Sequence, residues 1–312
     1  MTTGVDPFVH EGLFYRDPAE YVTALAPFVE DGLELGEPVL VAVPGANLDL
    51  LRDAIGAAGA VRYVDMADSG RNPGRIIPGV LLAFATAHPD RRVRIIGEPI
   101  WPGRTDTEYL ACAQHEALIN LALAGVNATV LCPYDTTRLA PAAVADAART
   151  HPVVVHDDKR EPSPDYADPA ALAAEFGPPL PDPTVPPLAT VAYGDGDLPA
   201  VRDLVTRCAR MAGLAEDAVR RVRLAVQELA TNTIEHAGGT GTLRIWREPG
   251  DCPGLVCDIH DAGRLTDPLA GRRPVPHGQV RGRGLLLVNQ LCDLVRLHAG
   301  ADSTAIRVWV YG

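Results

Sequence analysis

Apolar residues between Gly12 and about Val155 fall into short runs that alternate with segments of helical periodicity. The runs Pro38–Val43, Val61–Val64, Val93–Gly97, Thr129–Leu131 and Val153–Val155 predict strands. Helical patterns cover Pro18–Leu33, Leu48–Ala58, Gly74–Ala87 and Asp106–Ala124 between them. Strands and helices that alternate in this way imply a parallel sheet with helices on both faces.

A second pattern begins near residue 188. It predicts a strand at Ala189–Tyr193, helices at Leu198–Ala212 and Glu216–Ala237, and strands at Thr242–Arg247 and Leu255–His260. A helix at Leu285–Leu294 and strands at Val295–His298 and Ala305–Val310 follow. This reads as helices on one side of a mixed sheet. The interval His156–Pro187 is crowded with prolines and acidic residues, which favours extended, semi-stiff chain. A short helix at Asp168–Phe176 is expected within it, with Asp168 as cap and Pro169 in the first turn. The expected organisation is a sensor-type domain at 1–155, a linker at 156–187 and a second domain at 188–312.

The predicted helix Glu216–Ala237 carries more than a packing pattern. Val219, Val222, Val226 and Leu229 mark one apolar face, while Glu228, Asn232 and Glu235 fall on another. Thr231, Asn232 and Thr233 stand together in mid-helix, although such side chains compete for backbone hydrogen bonds. Further on, Asp261-Ala262-Gly263 sits where a strand gives way to a loop. Gly282-Arg283-Gly284-Leu285 then opens an apolar helix at a glycine-rich turn, where backbone N–H groups favour phosphate oxygens.

Glu-x-x-x-Asn on a helix, Asp-x-Gly after a strand and Gly-x-Gly before a helix, in that order, resemble the N, G1 and G2 boxes of the GHKL ATPases. That superfamily includes gyrases, histidine kinases and the anti-sigma-factor serine kinases. The resemblance implies an α/β sandwich of the Bergerat type that binds ATP with Mg²⁺. Residue by residue, Glu228 matches the catalytic glutamate that orients or deprotonates an attacking hydroxyl, and Asn232 the magnesium-binding asparagine. Asp261 matches the carboxylate that accepts a hydrogen bond from the adenine amino group. Gly263, Gly282 and Gly284, with Leu285, allow the backbone to approach the nucleotide. Arg283 either pairs with a phosphate or is a solvated lid arginine. The stretch Arg264–Arg281, rich in Gly, Pro and Arg, is placed as a mobile lid. Arg264-Leu265 depart from the usual Asp-x-Gly-x-Gly, which leaves nucleotide affinity and turnover open. GRGL followed by LVNQLCDLV looks most like the stand-alone branch related to anti-sigma-factor serine kinases.

In the first half, the unusual residues cluster where predicted strands end. Asp65, Glu98 with Trp101, and Tyr134 with Asp135 all follow apolar runs. In parallel sheets ligands bind at the carboxyl ends of the strands. His10, Asp65, Glu98, Trp101, Tyr134 and Asp135 are therefore expected to line one cleft. The turn after VLVAV lacks Gly-Lys-Ser/Thr, so a P-loop is not supported. HEGLFYRDPAEYVTALAPFVEDGLELGEPVLVAVP, Glu98-Pro99, QHEALIN and LCPYD resemble the MEDS sensory domain of DcmR-type regulators, over roughly residues 8–155. The resemblance implies a RecA-like α/β sensor for a small organic molecule or another signal. His115-Glu116 has the form of a kinase phosphoacceptor box but lacks its following arginine turn and proline; a helix-surface or pocket histidine is the better reading.

Composition narrows the classes. The chain of 312 residues has a formal net charge of −12 and 47% hydrophobic residues. The acidic excess lies in 1–189, and 190–312 is close to neutral. With no basic tract, direct nucleic-acid binding is not expected. No apolar run is long enough to span a membrane, and MTTGVDPFVHEG is unlike a signal peptide. The six cysteines show no zinc-type spacing and read as reduced core residues of a cytoplasmic protein.

The expected function is a cytoplasmic signalling regulator. Its sensor domain controls an ATP-binding domain that sequesters a sigma factor or phosphorylates an anti-sigma antagonist protein on serine. The alternatives are a histidine-kinase-like component, and a non-catalytic module in which nucleotide only sets conformation. Whether the chain is a protein serine kinase, and whether it forms a homodimer, stay open at this stage.

Overall fold

The run VLVAV is buried at every position, as expected for a strand covered on both faces. It is one of seven strands in the first of two units, Met1–Ala173 and Ala174–Gly312. The computed structural model describes residues 7–56, 59–157, 159–248, 254–274 and 282–312.

The first unit runs β1 (Val9–Tyr15), α1 (Pro18–Glu34), β2 (Val39–Val43), α2 (Gly45–Ile55), β3 (Val61–Asp65) and α3 (Met66–Ser69). A 3₁₀ turn at Pro73–Arg75 and a π turn at Ile77–Leu81 lead into α4 (Leu82–Thr86). Then come β4 (Val93–Gly97), α5 (Asp106–Ala122), β5 (Ala128–Asp135), α6 (Pro141–Thr150), β6 (Val153–His156) and β7 (Lys159–Pro162). The sheet order is β3-β2-β4-β5-β1-β6-β7. All neighbours are parallel except β7, which pairs antiparallel with β6.

Local signals account for the helix starts. Asp17 caps α1 by accepting from the backbone N–H of Ala19 and Glu20, with Pro18 in the first turn. Thr105 and Glu108 form a reciprocal capping box on α5. The single helix expected over 74–87 is instead a 3₁₀ turn, a π turn and a short α-helix, with Pro73 and Pro78 in the first turns of the two irregular pieces. A proline cannot supply the N–H that a continuous helix needs.

The helix α7 (Pro169–Glu175) follows, with Asp168 accepting from the Ala171 N–H. The second unit then runs β8 (Ala189–Gly194), α8 (Leu198–Met211), α9 (Glu216–His236), β9 (Thr240–Arg247), β10 (Gly254–Asp261), α10 (Gly284–Leu291), β11 (Leu294–Ala299) and β12 (Thr304–Tyr311). Its sheet has the order β11-β12-β10-β9-β8 and is antiparallel throughout, where a mixed sheet was expected. Leu243, Ile245, Leu255, Cys257, Ile259, Ile306 and Val308 pack with Val219, Val222, Val226 and Leu229 of α9 in one core. Alternate residues point to the other face. There Asp258, 0% exposed, receives Arg244 Nη2 at 2.7 Å and Arg307 Nη2 at 3.1 Å.

That far face is also where residues 176–182, read from proline density as linker, are held. Arg296 Nη2 donates to the Phe176 carbonyl at 3.3 Å, and Arg307 Nη2 to the Pro181 carbonyl at 2.7 Å. The nitrogen Nδ1 of His298 lies 2.8 Å from the Gly177 carbonyl. Earlier in the same interval, 159–162 forms the edge strand β7. Among the described residues, no helix is long and apolar enough to cross a membrane, and the five described cysteines are buried. Cys252 lies outside the described residues.

Candidate functional site

The buried face of α9 fixes which way its polar face points. With Val222, Val226 and Leu229 in the core, Glu228 and Asn232 are half-buried on the other side. One turn apart, they converge on the start of α10. A Cβ added at Gly284 would lie 3.2 Å from Asn232 Nδ2, 3.3 Å from Asn232 Oδ1 and 3.3 Å from Glu228 Oε2. Glycine thus lets the first turn of α10 approach both side chains. Gly282 has φ +87, a conformation that L side chains rarely adopt. Arg283 is the N-cap residue, exposed, with no side-chain capping bond, so the first N–H groups of α10 are not satisfied from that position.

Asp261 ends β10 and is held by two donors. Thr233 Oγ1 donates to its Oδ2 at 2.7 Å, and the Gly263 N–H to its Oδ1 at 2.9 Å. Behind Thr233, the Tyr193 hydroxyl donates to Thr233 Oγ1 at 3.0 Å. Burial, and then Asp261, raise the Tyr193 phenol above its ordinary value, so this donor stays protonated. Each carboxylate oxygen keeps a further lone pair for an incoming donor. A Cβ at Gly263 would lie 2.6 Å from the Ala237 Cβ, so the loop can pass α9 only as glycine. Thr304 Oγ1 fixes the Gly263 carbonyl at 2.9 Å. Thr233, Tyr193 and Thr304 were not singled out from the sequence; the out-of-place Thr231-Asn232-Thr233 triplet was the one signal for the first of them.

A cavity of about 480 Å³ opens between these parts. Its lining brings together Asn232, Asp261, Gly263, Gly282, Gly284 and Leu285, while Glu228 and Arg283 lie outside it. The volume is in the range of small-ligand sites. Arg264 and Leu265, where the usual glycine is replaced, line one wall. The described part of the expected lid, 264–274, is anchored rather than loose. Leu269 is buried, and Asn289 Nδ2 donates to the Gly271 carbonyl at 3.1 Å. Residues 275–281 of that stretch, Arg281 among them, lie outside the described residues.

The chemistry of this lining suits a nucleotide. Asp261 offers an acceptor for an exocyclic amine, and the α10 N-terminus offers donors to phosphate. The Asn232 carboxamide oxygen is a hard ligand for a Mg²⁺ ion that completes its shell with phosphate oxygens and water.

The six residues expected in one sensor cleft do not share one. Successive side chains of a strand point to opposite faces. On the α1 side, Glu98 accepts from Asn47 Nδ2 at 2.8 and 2.9 Å and from the Tyr21 hydroxyl at 3.1 Å. Asp135 is on this side, in line with Leu131 and Leu13 of the α1 core. His10 and Tyr134 are on the other side, with α5: His10 Nε2 lies 3.3 Å from Glu116 Oε2, and the Tyr134 and His151 rings are 5.4 Å apart. Asp65 caps α3 through the Ala67 N–H, and Trp101 stacks under the Arg104 guanidinium at 3.7 Å. His10 is also not at a carboxyl end; it is the second residue of β1, paired with Val130. Reading strand exits alone could not say which face each residue takes. His115 and Glu116 are both buried, so neither is a surface phosphoacceptor.

Two family models match the chain. Residues 9–152 match the MEthanogen/methylotroph, DcmR Sensory domain, MEDS, and residues 194–309 match the histidine kinase-like ATPase domain. No curated protein matches the sequence. The chain is thus similar to a MEDS sensory domain in its first part and to a histidine kinase-like ATPase domain in its second, the two-part organisation its motifs pointed to.

Proposed function

We propose that this protein is a cytoplasmic signalling regulator in which the MEDS domain controls an ATP-binding domain of the anti-sigma-factor serine-kinase type. A sensory domain and a kinase-like ATPase in one chain are the parts of a signalling regulator, and the ATPase domain implies nucleotide binding. The observation that carries the finer reading is the meeting of Glu228, Asn232 and Gly284, beside a cavity that also holds Asp261. Asp261 would hold the adenine of ATP, the α10 N-terminus its phosphates, and Asn232 the Mg²⁺ that screens them. Glu228 would orient or deprotonate a serine hydroxyl of an anti-sigma antagonist, or the domain would act by sequestering a sigma factor.

Incubation with γ-labelled ATP, alone and with a candidate antagonist, tests the reading. Label on the antagonist's serine supports it. Label on a histidine of the chain itself would favour a histidine-kinase-like component. Binding without label on either would leave a non-catalytic, nucleotide-gated module, a reading that the Arg264-Leu265 departure favours. The small-molecule ligand of the sensor belongs to the same proposal.

A further inference from the structure

The MEDS unit encloses a set of side chains that the nucleotide reading does not use. His10 on β1, Glu116 on α5, Cys132 on β5 and His151 just before β6 are all buried, and one ligand atom from each lies within 4.8 Å of the others. His10 Nε2 and His151 Nε2 approach the same oxygen, Glu116 Oε2, at 3.3 and 3.1 Å. Cys132 Sγ lies 3.5 Å from His10 Nε2. Zinc bonds of about 2.0–2.1 Å to N or O and about 2.3 Å to S place neighbouring tetrahedral ligands roughly 3.3–3.6 Å apart. Three of the six separations, at 3.1, 3.3 and 3.5 Å, are near that size, and all six are within 4.8 Å.

The outer hydrogen bonds set the tautomers. His10 Nδ1 lies 3.1 Å from Asn120 Oδ1, and His151 Nδ1 lies 2.7 Å from the Ala147 carbonyl. Asn120 Oδ1 is the acceptor because its Nδ2 donates to the Thr150 carbonyl at 2.8 Å. Both Nδ1 atoms therefore carry hydrogen, and both Nε2 atoms turn lone pairs toward the Glu116 carboxylate. Acceptors then face acceptors in a dry interior. Neither Glu116 oxygen, nor His151 Nε2, has a hydrogen-bond partner. Such an arrangement is costly unless positive charge, a shared proton or a metal ion, sits among the lone pairs.

We propose that His10, Glu116, Cys132 and His151 form a closed tetrahedral site for a zinc-type divalent ion. All four positions are filled by protein, the arrangement of a structural rather than a water-activating site. On binding, the Cys132 thiol gives up its proton to solvent and the thiolate becomes the sulfur ligand. The ion ties α5 and the end of α6 to the two central strands β1 and β5.

The untagged full-length chain is freed of metal by chelation and titrated with Co²⁺. The expected result is saturation at one equivalent, with the intense visible bands of tetrahedral cobalt and a thiolate charge-transfer band, both bleached by Zn²⁺. Cys132→Ser loses the charge-transfer band, whereas Cys112→Ser keeps it, and Zn²⁺ raises the melting temperature of the wild type. X-ray absorption on the zinc-loaded wild type needs no variant, and its expected first shell holds one sulfur. No tetrahedral spectrum at one equivalent, a charge-transfer band that survives Cys132→Ser, or a first shell without sulfur would each overturn the proposal.

Discussion

Thr233 donates to Asp261 across 2.7 Å, from the middle of a helix to the end of a strand. This bond explains a residue that helix propensity disfavours. Thr233 is fully buried, yet its hydroxyl is the middle link between Tyr193 and the carboxylate.

Thr233→Val keeps the shape and removes that link. One lost hydrogen bond of this kind is worth about 1 kcal/mol. Nucleotide affinity should weaken by several-fold, with a comparable loss of fold stability from the unpartnered Tyr193 hydroxyl. Calorimetric titration and chemical denaturation measure the two; an unchanged affinity would mean that the link does not orient Asp261 for ligand.

Glu228 and Asn232 should separate in their effects. Glu228→Gln preserves shape but is a far poorer base, and general-base assistance contributes about 10²–10⁴ in rate. Phosphoryl transfer to a serine partner should fall at least about a hundredfold while ATP affinity stays near wild type. Asn232→Ala should lose the Mg²⁺-dependent part of ATP binding. Transfer that survives Glu228→Gln would remove Glu228 from the chemistry.

Glu98 gives the sensor unit a pH dependence. Burial raises its carboxyl from 4.5 to about 8, with Asp135 adding to the rise, against the lowering effect of Asn47 and Tyr21. The folded state therefore holds a proton that the unfolded chain releases near the ordinary carboxylate value. Between those two values the folded state binds more protons, so stability falls as pH rises. Urea unfolding at about pH 5 and about pH 8 should show the loss, and Glu98→Gln should flatten it. A wild type equally stable at both pH values, or a variant with the same slope, would contradict this assignment.

What the sequence made legible follows from where the physical signal is strong. VLVAV announces itself because a strand buried on both faces is apolar throughout. The strand β1, VHEGLFY, was missed although it lies between β5 and β6, because its first residues are polar. His10 is buried against Glu116, and Glu11 against Arg160 at 2.7 Å. Such pairs hide a central strand from any apolar pattern. The edge strand β7, KREP, was hidden for the opposite reason, since charge and proline are what blunt a sheet edge. In the second unit, the spacing of Glu228 and Asn232 and the glycines at 263 and 284 led to residues that the structure brings near one another. A pattern of residue types could reveal that much, but not the support from Thr233, Tyr193 and Thr304, which comes from distant strands and helices.

The account rests on the cavity at Asp261 being an adenine site, and titrating the full-length protein with Mg·ATP tests that most directly. The expected result is a single saturable site, weakened in Asp261→Asn by about 1.5–3 kcal/mol, the value of a hydrogen bond to a charged group. Equal affinity in wild type and variant, or no binding by the wild type, would contradict it.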